Sequence, residues 1–128
     1  MIVVYDSLTG QTKRFASKLG FPFVGVNEYV LSEEPIFLLT RSFNFGEVPK
    51  STKNFLDNYS AKVIGTAVSG NRNWGTNYGR AGDVIEKTYN IPLVLKFEAS
   101  GLIEDVEYIK KWIDDRIDKG DEKDGKKD

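Results

Sequence analysis

The side chains best equipped for chemistry lie in the run Ser69-Gly70-Asn71-Arg72-Asn73-Trp74-Gly75. Gly70 and Gly75 let backbone amides approach a ligand closely. Asn71, Arg72 and Asn73 bring amide and guanidinium hydrogen-bonders, and Trp74 adds a large flat apolar face. Polar groups around an aromatic plate suit a planar, heteroatom-rich ligand. The same residues also fit a solvated turn with its tryptophan tucked into the core, since Gly and Asn are common turn formers.

A second loop, Asp6 to Thr12, carries hydroxyls at Ser7, Thr9 and Thr12, with Leu8, Gly10 and Gln11 between them. A helix-like segment follows, and backbone amides at a helix N-terminus form an anion site. The loop lacks both the lysine pattern of a triphosphate loop and the spaced glycines of a dinucleotide fingerprint. It suits a single phosphate monoester. Plain N-capping by Thr9 or Thr12 is the competing explanation. A third loop, Ser42-Phe43-Asn44-Phe45-Gly46, sets two aromatics about one asparagine. Either aromatic alone would serve equally well to pin the loop to the core.

Composition narrows the chemistry further. The 128 residues contain no cysteine and no histidine, which removes thiol chemistry, the usual catalytic triads and the commonest metal ligand. No metal site is expected. Chemistry on this chain falls to carboxylates or to a bound cofactor. A net charge of −1 and the lack of a basic stripe argue against nucleic acid. No apolar run approaches the length of a membrane span. Met1 leads directly into a strand-like run without a basic leader, so a cytoplasmic location is expected.

The elements that must position these loops follow from apolar periodicity. Strands are expected at Ile2–Tyr5, Phe23–Val26, Ile36–Leu39, Lys62–Val68 and Pro92–Phe97. The second is placed at an edge because Pro22 precedes it. Helices are expected at 13–19, from Pro49 through Tyr59, at 79–89, and at 103–117. The third should turn Ala81, Val84, Ile85 and Thr88 inward, and the fourth Val106, Ile109, Ile113 and Ile117. Residues 1–117 thus form one domain, and the charged residues 118–128 read as a disordered tail.

Alternating strands and helices imply a three-layer α/β sandwich. Right-handed crossovers favour a doubly wound parallel sheet of order 2-1-3-4-5, with helices on both faces. That order sets strands 1, 3 and 4 side by side, so the three unusual loops converge at one sheet edge. A single-phosphate loop facing two aromatic loops points to flavin mononucleotide (FMN), its phosphate on the first loop and its ring between the others.

Ser7-x-Thr9-Gly10-x-Thr12 resembles the flavodoxin phosphate loop. The run Ser69 to Gly75, followed by Tyr78, Ala81-Gly82-Asp83 and Phe97-Glu98, is similar to the NrdI proteins, over residues 1 to 117. Those are the flavodoxin-like partners of class Ib ribonucleotide reductase. The resemblance implies an FMN reduced to the hydroquinone by an upstream flavin or flavodoxin reductase. It implies reaction with dioxygen and delivery of an oxidant, superoxide, to the dimanganese site of the reductase small subunit, where a tyrosyl radical forms. By matching position, residues 7–12 would hold the phosphate and residues 42–46 and 69–75 the ring, with Phe45 and Trp74 on its two faces. Tyr78, Ala81, Gly82 and Asp83 belong to the same motif.

One departure is Asn44, which stands where the family usually has glycine. The family's loop flips a peptide when the flavin gains its first electron, so a strain at Asn44 is expected unless Asn44 already sits at positive φ in the oxidised state. A plain flavodoxin electron carrier is the alternative. Flavodoxins crowd the flavin with acids, whereas these loops carry Arg41, Arg72 and Arg80 against Asp6 and Glu47. A phosphorylated receiver module of the same fold needs an aspartate after the third strand. Thr40 and Arg41 stand there instead.

Overall fold

A computed structural model describes residues 1–125 of the chain. The β-branched run at the N-terminus forms β1 (Ile2–Asp6), and the first polar loop leads into α1 (Gln11–Lys18). Thr12, Phe15 and Ala16 are the buried residues of α1, the spacing of one helical face. β2 (Phe23–Gly25) is short and pairs with β1 alone, as an edge strand does. β3 (Ile36–Thr40) is buried at every position. Pro49 caps α2 (Lys50–Tyr59), where its missing N–H costs nothing. A 3₁₀ turn at Ser60–Lys62 then feeds β4 (Val63–Ser69). The polar run after β4 folds as a kinked 3₁₀ segment, Arg72–Asn77, before α3 (Arg80–Tyr89). β5 (Leu93–Phe97) and α4 (Ile103–Gly125) complete the chain.

The five strands form one parallel sheet of order β2-β1-β3-β4-β5, as the sequence implied. Side chains alternate across it. Val3, Phe37, Leu39 and Phe97 pack on one face with Phe15, Leu19, Ile109 and Ile113, from α1, the residue just after it, and α4. Val4, Ile36 and Leu38 pack on the other with Phe55, Leu56 and Ile85 from α2 and α3. Two covered faces explain why β3 reads as an unbroken apolar run.

Two expectations need correction. The buried residues of α3 are Ala81, Gly82 and Ile85, whereas Val84 is 39% exposed and Thr88 is exposed. Gly82 sets this phase. A Cβ there would lie 2.5 Å from Leu93 Cδ1 and 2.9 Å from Val68 Cγ2, so the helix rests on the sheet through its glycine. The last helix runs to Gly125, past the end expected at Ile117. Residues 126–128 of the expected tail lie outside the described residues. Among the described residues, no helix is long and apolar enough to cross a membrane.

Candidate functional site

The loops after β1, β3, β4 and β5 enclose a cavity of about 430 Å³ at the carboxyl edge of the sheet. Leu8, Thr9, Gln11 and Thr12 line one end. Ser42, Ser69, Gly70, Asn71 and Trp74 line the rest, together with Arg41, Glu98 and Ala99.

The first loop is built to leave amides free. Gly10 is the N-cap of α1, at φ 90°, and no side chain caps the helix. The Thr12 hydroxyl instead donates to the Asp6 carbonyl at 2.7 Å, and Ser7 Oγ accepts from Gly10 N at 2.9 Å. N-capping by Thr9 or Thr12 is therefore ruled out. The hydroxyls of Ser7 and Thr12 shape the loop, while Thr9 and Gln11 line the cavity beside an uncapped helix N-terminus. Such an end attracts an anion through its N–H groups and its dipole.

Beneath this loop sits a buried carboxylate. Asp6 is 4% exposed. Its Oδ1 accepts from Arg41 Nε at 3.1 Å, and its Oδ2 from Thr52 Oγ1 at 2.6 Å and from Ser51 Oγ. Thr52 in turn meets Thr40 Oγ1 at 2.7 Å. Burying a charge is costly unless it is paired and hydrogen-bonded, and both conditions hold here. The pair fixes Arg41 against the cavity wall.

The loop after β3 is a tight hairpin. Phe43 and Glu47 exchange backbone hydrogen bonds, each of 2.8 Å, around Asn44, Phe45 and Gly46. Asn44 has φ 51° and its Nδ2 donates to Glu47 Oε2 at 3.2 Å. Gly46, at φ 107°, lies so close to the Asn77 carbonyl that a Cβ would collide with it. Phe43 and Phe45 are 49% and 69% exposed, so neither pins the loop to the core.

Cross-links hold the loops together. Ser42 Oγ donates to the Ser69 carbonyl at 2.7 Å, and Gly70 N to the Phe97 carbonyl at 2.8 Å. Asn71 caps the 3₁₀ segment, its Oδ1 accepting from Asn73 N at 2.8 Å. Glu98 accepts from Arg72 N at 3.0 Å with one oxygen and faces Arg72 Nε at 3.1 Å with the other. The Arg72 guanidinium lies 5.6 Å from the centre of the Tyr78 ring. Tyr78 Oη is buried and has no hydrogen-bond partner among the described residues.

The expected site residues thus divide. Leu8, Thr9, Gln11, Thr12, Ser42, Ser69, Gly70, Asn71 and Trp74 line the cavity. Ser7, Gly10, Asn73 and Gly75 shape its loops, and Gly75 holds the kink at φ 58°. Phe43, Asn44, Phe45 and Gly46 form the hairpin beside it, and Arg72 and Tyr78 stack behind it. Ala81 and Gly82 do not reach the cavity, because both are buried against the sheet. Asp83 is engaged by Lys96 Nζ at 2.8 Å. Arg41, Glu98 and Ala99 line the cavity without having been expected there. Counting Glu98 leaves Arg41, Arg72 and Arg80 balanced by Asp6, Glu47 and Glu98, so the positive surplus read from the loops disappears.

The residues fit a phosphorylated planar cofactor. The first loop offers uncapped amides for a phosphate, the volume lies in the usual range for small-ligand pockets, and Trp74 gives a plate for a ring.

Comparison with known proteins agrees with this geometry. A short-chain flavodoxin associated with a bacterial microcompartment is similar in fold, with a TM-score of 0.70 at 17% identity, covering 86% of this chain and 90% of that one. A flavodoxin mutant of Fusobacterium nucleatum bound to flavin mononucleotide gives a TM-score of 0.57 at 19% identity, covering 73% of this chain and 66% of that one. Protein NrdI of Macrococcus caseolyticus is 45% identical over 111 residues, 83% of each chain. A model of the NrdI flavodoxin-like family matches residues 3–111, and the chain belongs to that family.

Proposed function

We propose that the chain binds one FMN noncovalently and, when reduced, activates the small subunit of a class Ib ribonucleotide reductase. One observation carries the cofactor: an uncapped helix N-terminus and Trp74 share a single cavity at the switch edge of a flavodoxin-like sheet. The F. nucleatum flavodoxin of the same fold binds FMN, and the family's name supports the reductase as partner.

Thr9, Gln11 and the first amides of α1 hold the phosphate, and Trp74 covers one face of the ring. Asn71 and the backbone at Ser69–Gly70 meet its polar edge. When bound, FMN would supply the redox chemistry that links an upstream flavin or flavodoxin reductase to dioxygen. The chain binds, orients and docks; it is an activator rather than a stand-alone enzyme.

The test is reconstitution. Fully reduced protein plus oxygen should generate a tyrosyl radical, read by electron paramagnetic resonance, in a manganese-loaded class Ib small subunit. Free hydrogen peroxide should not substitute. A purified pair that yields no radical would leave the flavodoxin-type electron carrier as the better account.

A further inference from the structure

Glu98 directly follows β5 and lines the cavity from the loop after that strand. Both carboxylate oxygens are committed to one residue. Oε2 accepts from the Arg72 backbone N–H at 3.0 Å, and Oε1 faces Arg72 Nε at 3.1 Å. The adjoining Phe97 carbonyl takes the Gly70 N–H at 2.8 Å. So β5 grips the run 70–74 at two points, on either side of Asn71. Trp74 lies two residues beyond the second grip, and its own N–H donates to the Asn71 carbonyl at 3.0 Å.

Stability is a poor explanation for this arrangement. The two side chains are 68% and 45% exposed, and exposed ion pairs contribute little to stability. The bond to the Arg72 N–H is different in kind. It satisfies a backbone donor at the start of the 3₁₀ segment and thereby fixes where that segment begins. Arg72 completes the latch by lying over the Tyr78 ring, at the far end of the same segment.

We propose that Glu98 is a positioning residue of the cofactor site: it latches Arg72 and so presents Asn71 and Trp74 to the flavin, while placing a negative charge at the cavity wall. The inference rests on the FMN reading above. Its charge has a second consequence. A carboxylate at the wall disfavours the anionic, fully reduced flavin, as like charges disfavour ionisation.

The experiment compares full-length wild type, Glu98→Gln and Glu98→Ala. Amide hydrogen exchange at Arg72 is followed in cofactor-free protein, FMN affinity by flavin fluorescence, and the second reduction potential by redox titration. In Glu98→Ala the Arg72 amide should exchange faster and the FMN dissociation constant should rise about fivefold or more, the worth of one hydrogen bond. Glu98→Gln keeps an amide oxygen for the Arg72 N–H, so its affinity should stay near wild type while its second potential rises. A structural role alone would not move that potential. If Glu98→Ala leaves exchange and affinity unchanged, or speeds exchange without weakening FMN, the latch does not position the site. A Glu98→Gln potential equal to wild type overturns the charge effect. Wild type that binds no FMN refutes the cofactor reading itself, and the exchange measurement then still decides whether Glu98 holds the loop.

Discussion

Phe45 and Trp74 meet edge to face, with ring centroids 6.2 Å apart and planes at 79°. A flat ligand held between two rings needs parallel faces about 7 Å apart, twice the usual carbon contact. As they stand, the two aromatics brace each other and do not form a clasp. Trp74 lines the cavity; Phe45 stands beside it, 69% exposed. This geometry favours one plate with a buttress over a ring sandwiched between both.

The two substitutions should therefore differ. Stacking contributes on the order of 0.5–1.5 kcal/mol beyond area burial, so Trp74→Ala should weaken FMN about tenfold or more and relieve flavin quenching. Phe45→Ala should cost roughly threefold or less, through loss of one edge contact. Equal losses in a fluorescence titration would mean that the rings rearrange into a clasp on binding.

Asn44 alters a second expectation. It already occupies the left-handed region, at φ 51°, with its side chain bonded to Glu47. Asn tolerates that region better than most residues because it can bond locally. The strain expected on reduction is thus already present. Asn44→Gly should shift the first reduction potential by less than about 20 mV, against roughly 40 mV for a 1 kcal/mol penalty incurred on reduction. Redox titration of both proteins decides, and a rise of the larger size would show that the loop must change conformation at Asn44.

These cases show what sequence reveals and what it does not. The strands were legible as apolar runs, most clearly Ile36–Leu39, which is buried throughout, and right-handed crossovers then set their order. The first loop of the cavity was legible from Thr9-Gly10 ahead of an amphipathic helix. Arg41 and Asp6 are 35 residues apart in sequence, and only the pairing of β1 with β3 makes them partners. Glu98 belongs to a motif visible in the sequence, but its place in the cavity depends on β5 lying beside β4. Hydrophobicity alone puts Val84 on the buried face of α3, whereas close packing on Leu93 demands Gly82 there.

Away from the site, α2 and α3 are joined by Tyr89 Oη, which donates to Asp57 Oδ1 at 2.7 Å, while Lys53 Nζ lies 2.9 Å from Oδ2. Burial, then the bond to Asp57, pushes the Tyr89 phenol up to about 12 from 10.0. A raised folded pKa contributes stability that is whole below pH 10.0 and is lost as pH rises toward about 12. Asp57 has the opposite sign. Its bonds to Tyr89 and Lys53 lower its pKa from 3.8, so its contribution is present above that value and lost as pH falls below it. Tyr89→Phe should remove one late-titrating phenol from the ultraviolet titration and flatten the alkaline fall in stability. Loss of a phenol titrating near 10.0 instead would show that the bond to Asp57 does not persist in solution.

Calorimetric titration of the cofactor-free protein with FMN and with riboflavin tests the central claim most directly, since the two ligands share the ring and differ by the phosphate. Charge-assisted bonds to the amides of α1 and to Thr9 should favour FMN by roughly 2–3 kcal/mol or more, about a hundredfold in affinity. One FMN should bind per chain, and riboflavin at least that much more weakly. Equal affinities, or no binding of either ligand, would contradict it.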